Sequence, residues 1–410
     1  MIGMAAAGAP LGRASGLALA LLAVAALQAG CGEETRGVPA RGAVAGRRIE
    51  TTVDSAEARY LLSRGLTGAP SDPALDARIE LAGRQLRGAE DPREHLARIA
   101  REFSTDFATL LLAEELLAVP PNARMQALYL EELGRLEAGR AAPLPPRETR
   151  YAVLFVPGWL YRSHPENGAG FQRQLALAAQ MGLEAELVPT AENASVEHNA
   201  GLIADDLRRR RDDGRRYILA TASKSGAEVA LALAGLSARE TGHVAAWVNI
   251  GGVLGGSPLA DAALTAPRCW GALAFLGWRP GGLDGMRSMS TAARRSRVGE
   301  LRLPGHILVV NYLPLPLSGN VTPRARSGYE SMRALGPNDG LALTPDEIFP
   351  GAVSILEVGL DHFMTVPDID RRTAALIRSV IDTLSRSPAA AGDPESGRAP
   401  APVAARREPP

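Results

Sequence analysis

The sequence predicts an α/β protein: a mainly parallel β-sheet flanked by helices, preceded by a helical N-terminal segment. Three observations carry this. Between residues 150 and 385 short apolar runs alternate with helical segments, the rhythm of strands buried on both faces by crossover helices. Prolines at 143, 145 and 146 separate that rhythm from a purely helical one before it, because clustered prolines stop helices and suit extended linkers. Hydrophobic residues make up 46% of the 410 residues and cysteine occurs only twice, so the core must come from apolar burial and not from a disulfide framework. The 45 basic and 45 acidic residues cancel, which leaves no electrostatic footprint for nucleic acid and no polybasic face for anionic lipid.

Residues 1–30 carry one charged side chain, Arg13, followed by an apolar run from Leu17 to Leu27. That run is short for a membrane span and reads as the apolar region of a signal peptide. Leu27-Gln28-Ala29-Gly30-Cys31 resembles the lipobox of bacterial lipoproteins. The resemblance implies export, lipidation at Cys31 and attachment to the membrane of the cell envelope. Residues 31–53, rich in Gly, Arg and Glu up to Arg48, are expected to be a tether. From 54 to 140 the pattern is helical. Asp72-Pro73 and Asp91-Pro92 place a capping carboxylate before a proline suited to the first helical position. Leu75, Ile79, Ala82 and Leu86 then recur on one helix face. No residue in this region suggests chemistry, and it is expected to form a helical layer on the next domain.

Within 150–385 the expected strands are Tyr151 to Val156, Glu184 to Val188, Tyr217 to Ala220, Val244 to Ile250, Ile307 to Tyr312 and Val353 to Val358. Helices are expected at Phe171 to Met181, Ala200 to Arg210, Gly226 to Leu236 and Asp368 to Leu384. The tail, 386–410, holds no aromatic residue and is expected to be disordered.

Between the third of these strands and its helix lies Thr221-Ala222-Ser223-Lys224-Ser225. It resembles the nucleophile elbow G-x-S-x-G of α/β-hydrolases, with Thr221 and Ser225 at the glycine places. Ser225 is a rival nucleophile. The strand ending at Ala220 and the helix beginning near Gly226 favour Ser223, and a serine that merely caps the helix would give the same pattern. After the next strand, Asn249 to Asp261, with Gly256-Ser257-Pro258-Leu259-Ala260-Asp261, resembles a segment of bacterial triacylglycerol lipases and related esterases.

That resemblance implies the chain order serine, acid, histidine. Only His362 follows the final strand, whereas His306 begins a strand and belongs at the opposite edge of the sheet. Asp339, in Asn338-Asp339-Gly340-Leu341, matches the D-G-L turn whose aspartate serves the histidine. Asp346, Glu330 and Asp361 compete for that role, and a plain Asx turn would also explain Asp339. Val156-Pro157-Gly158-Trp159-Leu160 resembles the H-G-x turn with Pro157 in place of histidine. By that match the backbone N–H groups of Trp159 and Lys224 form the oxyanion hole, with Leu160 as an alternative donor. Lys224 is the only lysine in the chain.

An insertion with Trp270, Leu273, Phe275, Leu276 and Trp278 is either a lid or an ordinary cap helix. Phe363 and Met364 stand where related lipases place a calcium-binding acid, so neither a metal nor a cofactor is expected. The implied function is hydrolysis of carboxylic esters, lipid esters included, through an acyl-enzyme. A noncatalytic lipid- or partner-binding protein and an acyltransferase with the same triad are the alternatives.

Overall fold

The computed structural model describes residues 37–66, 68, 71–145, 150–265 and 283–386. The signal peptide, Cys31, the aromatic insertion from Trp270 to Trp278 and the tail beyond 386 lie outside the described residues. The chain begins with strands β1 (Val38–Val44) and β2 (Arg47–Val53) and helices α1 (Ala56–Ser63), α2 (Pro73–Arg87), α3 (Pro92–Glu102), α4 (Thr105–Ala118) and α5 (Pro120–Glu137). It continues through β3 (Tyr151–Val156), α6 (Gln172–Gln180), β4 (Ala185–Leu187), α7 (Val196–Arg210), β5 (Arg216–Ala222), α8 (Lys224–Ala234) and β6 (Val244–Ile250). Then come α9 (Pro258–Thr265), α10 (Asp284–Ser288), α11 (Thr291–Val298), β7 (Leu308–Leu315), α12 (Pro323–Met332), β8 (Val353–Val358) and α13 (Ile369–Arg386). Among the described residues no helix is long and apolar enough to cross a membrane.

Six strands form one parallel sheet in the order β4-β3-β5-β6-β7-β8. With helices on both faces and a helical segment before it, this is the parallel α/β architecture that the sequence predicts. The alternating apolar residues explain the two-sided cover. Val153, Phe155, Ile218, Val248 and Ile355 meet α5, α6 and α13 on one face. Leu154, Leu219 and Trp247 meet α7 and α8 on the other. The chain leaves β3 for β4 on one side and returns to β5 on the other. The crevice of such a sheet lies beyond the carboxyl ends of β3 and β5, where the order reverses.

The tether reading of 31–53 is corrected over residues 38–53, where β1 and β2 pair as an antiparallel hairpin. Ala45 and Gly46 turn it with φ of 51° and 77°, the positive values that two-residue hairpin turns need. The inward positions of β1 include Ala40, Gly42 and Val44. Gly42 lies so close to α1 that a Cβ there would stand 1.9 Å from the Leu62 carbonyl oxygen. Small inward residues give too little hydrophobic contrast to register as a strand pattern, which is why the sequence reads as unstructured there.

The helices of the N-terminal region form where their caps place them. Asp72 accepts from the N–H groups of Ala74 and Leu75, and Asp91 from that of Arg93. α1 to α4 and the hairpin share a core with Leu313 and Leu315 of β7, Leu317 just after it and Leu356 of β8. α5 closes the open edge of the sheet. The N–H of Ser354 donates to Asn122 Oδ1 (2.9 Å) and that of Leu356 to Gln126 Oε1 (2.8 Å). Residues four apart on a helix thus meet alternate backbone groups of β8, satisfying donors that an exposed edge strand would leave free.

Candidate active site

Ser223 joins β5 to α8 with φ 60° and ψ −125°, a backbone state that a non-glycine residue holds only where its surroundings enforce it. The enforcement is visible. The Ser223 N–H donates to the Ile250 carbonyl (3.1 Å), while its own carbonyl accepts from Gly226 and Val253 (both 3.0 Å). Ser225, the rival nucleophile, is fully buried and laces the turn together. Its hydroxyl donates to the Val156 carbonyl of β3 (2.8 Å) and accepts from the Ala222 N–H (2.9 Å). Thr221 is accommodated because its hydroxyl donates to the Val248 carbonyl (3.2 Å) and accepts from Trp247 Nε1 (2.9 Å). The glycine that close packing demands has moved one place on. A Cβ at Gly226 would stand 2.4 Å from Asn249 Oδ1.

His362 lies in the loop after β8, and its Nδ1 is hydrogen-bonded to Asp339 Oδ2. A second tie runs from the His362 N–H to the Asp339 carbonyl (2.9 Å). Asp339 is fully buried, and its Oδ1 accepts from the N–H groups of Leu341 and Ala342 (both 2.8 Å). The Asx turn and the contact to histidine are therefore not rivals, since one carboxylate oxygen serves each. Burial alone would lower the His362 pKa, but the adjacent Asp339 charge and hydrogen bond outweigh it and raise it above the ordinary histidine value. With Nδ1 tied to the carboxylate, Nε2 is the nitrogen free to take a proton.

The competing acids are engaged elsewhere. Asp346 binds Arg93 (2.5 Å) and Arg295 (2.9 Å). Asp361 accepts from the N–H groups of Thr322 (2.7 Å) and Phe363 (3.0 Å). Glu330 pairs with Arg333 at 3.1 Å on the surface. His306 bonds the Thr241 carbonyl (2.9 Å) ahead of β6, at the far end of the sheet.

Trp159 and Lys224 flank the serine from the ends of β3 and β5. The N–H of Gly158 is taken by the Ala169 carbonyl (3.0 Å), whereas those of Trp159 and Lys224 meet no acceptor among the described residues. The Lys224 side chain is buried and ion-paired with Glu228 one helical turn along, and Glu228 also accepts from Asn199 Nδ2 (2.8 Å). Burial pushes the Glu228 carboxyl up, and the Lys224 ammonium pulls it back. Glu228, Asn199 and the buried Glu347 escaped the sequence reading. Glu347 is raised well above the carboxylate range, first by burial and then by the Asp339 charge. The i,i+4 spacing of Lys224 and Glu228 on a helix is a signal that could have found that pair, whereas Asn199 and Glu347 meet their partners through the fold.

Ser223, His362 and Trp159 share the lining of one cavity of about 260 Å³ that is otherwise mostly apolar. The forced serine turn lies at the end of β5 and the imidazole–carboxylate unit beside β8, with β6 and β7 between them in the sheet, and Ser223 and His362 both line the mostly apolar pocket.

No protein-family model and no curated protein matches this chain. Solved structures resemble it distantly. A metagenomic carboxyl esterase is 22% identical, with TM-score 0.48 over 60% of this chain and 79% of that one. The mature form of a Bacillus licheniformis lipase is 20% identical, with TM-score 0.46 over 57% and 91%. A thioesterase of the prodiginine pathway of Streptomyces coelicolor is 16% identical, with TM-score 0.32 over 60% and 99%. At these values the chemistry has to be read from the residues of this chain.

Proposed function

We propose that the protein is a serine hydrolase that cleaves carboxylic esters of the lipase or esterase type. The observation that carries this reading is the forced Ser223 turn opening on the same apolar cavity as the Asp339-bound His362. In the proposed reaction Ser223 Oγ attacks the ester carbonyl carbon while His362 Nε2 takes the hydroxyl proton. The carbonyl oxygen becomes an oxyanion held by the N–H groups of Trp159 and Lys224. Collapse breaks the ester C–O bond, and the imidazolium returns its proton to the departing alcohol. Water then repeats the sequence on the acyl-enzyme, releasing the acid and restoring Ser223. Asp339 keeps the imidazole in the working tautomer and stabilises the imidazolium.

Fluorophosphonate labelling of the purified protein tests the assignment. Labelling should vanish in Ser223→Ala and fall strongly in His362→Ala, and labelling that persists without Ser223 sinks it. Export with membrane attachment through Cys31 belongs to the same proposal. It predicts that Cys31→Ala moves this labelling from the membrane to the soluble fraction, whereas a wild-type protein without lipid by mass spectrometry ends that part alone.

A further inference from the structure

The cavity at Ser223 does not stop at the rim of the sheet. Ala222, Ala220 and Ile218, alternate residues of β5, all line it, so it follows one face of the strand inward. From Ala222 to Ile218 the strand covers about 13 Å at about 3.3 Å per residue. The opposite wall is α13, which lines the cavity from Ile369 to Val380, a run of about 16 Å at about 1.5 Å per residue. Two independent rulers thus describe a channel from the catalytic serine to the middle of the core, between the sheet and the last helix. Besides Ser223 and His362, its polar lining side chains are Trp159, Asn167, Gln174, Arg324 and Thr373, from the mouth loops and the first two turns of α6, α12 and α13, and Tyr312 of β7, level with the end of β6. The inner part, around Ile218 and Val380, is apolar.

We propose that this channel takes the acyl chain of the substrate end-on, with the carbonyl at Ser223 and the chain terminus between Ile218 and Val380. The assignment rests on the serine hydrolase reading. A channel ending in the core cannot discharge a leaving alcohol, whereas the acyl part stays bound to Ser223 until water releases it. The retained half of the ester is therefore the half that fits there. The preferred substrates are esters of unbranched, medium-length acids, and Ala220 and Val380 set the length.

The experiment is a chain-length series of p-nitrophenyl esters from acetyl to palmitoyl. Wild-type kcat/KM should rise about fourfold per added methylene until the channel is full, then stop rising. Ala220→Leu, which puts a branched side chain halfway down, should lower the decanoyl-to-acetyl ratio of kcat/KM at least tenfold. Val380→Ala, a milder change at the inner end, should move the optimum to longer chains and keeps the test open should the first variant not fold. A profile without a rise, or ratios untouched by both substitutions, overturns the channel while leaving ester hydrolysis standing. Where neither labelling nor turnover is found, the hydrolase reading has failed, and calorimetric titration of decanoate into the Ser223→Ala protein decides the channel by itself. Binding weakened tenfold or more by the added Ala220→Leu supports it; no binding, or binding indifferent to that change, overturns it.

Discussion

Asp106 and Asp339 are both fully buried, and both accept several hydrogen bonds, yet the proposed function gives Asp339 a part in chemistry, whereas the partners of Asp106 give it a part in docking. Asp106 sits in α4 and accepts from the Asp54 N–H (2.8 Å), the Ser318 N–H (2.9 Å), the Ser318 hydroxyl (2.5 Å) and the Tyr329 hydroxyl (2.9 Å). All its donors are rigid parts of the hairpin junction, the loop after β7 and α12, so the carboxyl pins the N-terminal layer to the sheet. Asp339 gives only one oxygen to its own turn and the other to His362, which shares a cavity with Ser223. Burial and hydrogen bonding are common to both carboxyls; what sets Asp339 apart, and makes it the proposed acid, is a titratable partner that faces a cavity.

The largest effect that sharpens this comparison is expected from Asp339→Asn. The amide oxygen can still accept from Leu341 and Ala342, so the turn and the melting temperature should hold. The imidazole loses its tautomer control, and kcat should fall by about ten-thousandfold. In the parent enzyme the acid limb of kcat/KM should lie above pH 6.5, because the raised His362 must be neutral to act as base. A pH-rate profile and a thermal melt read both. Asp339→Asn activity within tenfold of the parent breaks the contrast.

Asp106→Ala should invert that pattern. Four donor groups on three residues lose their acceptor in a buried site, at a cost of about 3 kcal/mol of stability, with kcat per folded molecule unchanged. The same residue carries a further expected effect, a pH dependence of stability. Burial first, and then Asp54, push its carboxyl from 3.8 up to about 7, against the hydrogen bonds from Ser318 and Tyr329. Between those two values the folded protein binds more protons than the unfolded chain, so stability should fall as pH rises from about 4 to about 7. Urea midpoints across that range test the sign, and the slope should flatten in Asp106→Ala. A midpoint that rises with pH equally in both proteins rejects the assignment to Asp106.

How much of this was legible beforehand follows the range of each signal. The caps at Asp72 and Asp91 act on N–H groups two or three residues away, so the sequence alone determined where α2 and α3 begin. The alternation of apolar runs with helices likewise determined the parallel sheet, and the order of serine, aspartate and histidine along the chain pointed to Ser223, Asp339 and His362. The D-G-L match favoured Asp339 and left Asp346 as a competitor; the different partners of the two, Arg93 and Arg295 at Asp346 and His362 at Asp339, depend on the fold. The hairpin over 38–53 escaped because its inward residues are small and are defined by what presses on them. The meeting of Asn199 with Glu228, the buried Glu347 and the cavity under α13 are likewise tertiary facts. Strand, helix and cap signals reach a few residues along the chain, whereas burial, charge pairing and cavities depend on which distant segments the packed core forces together.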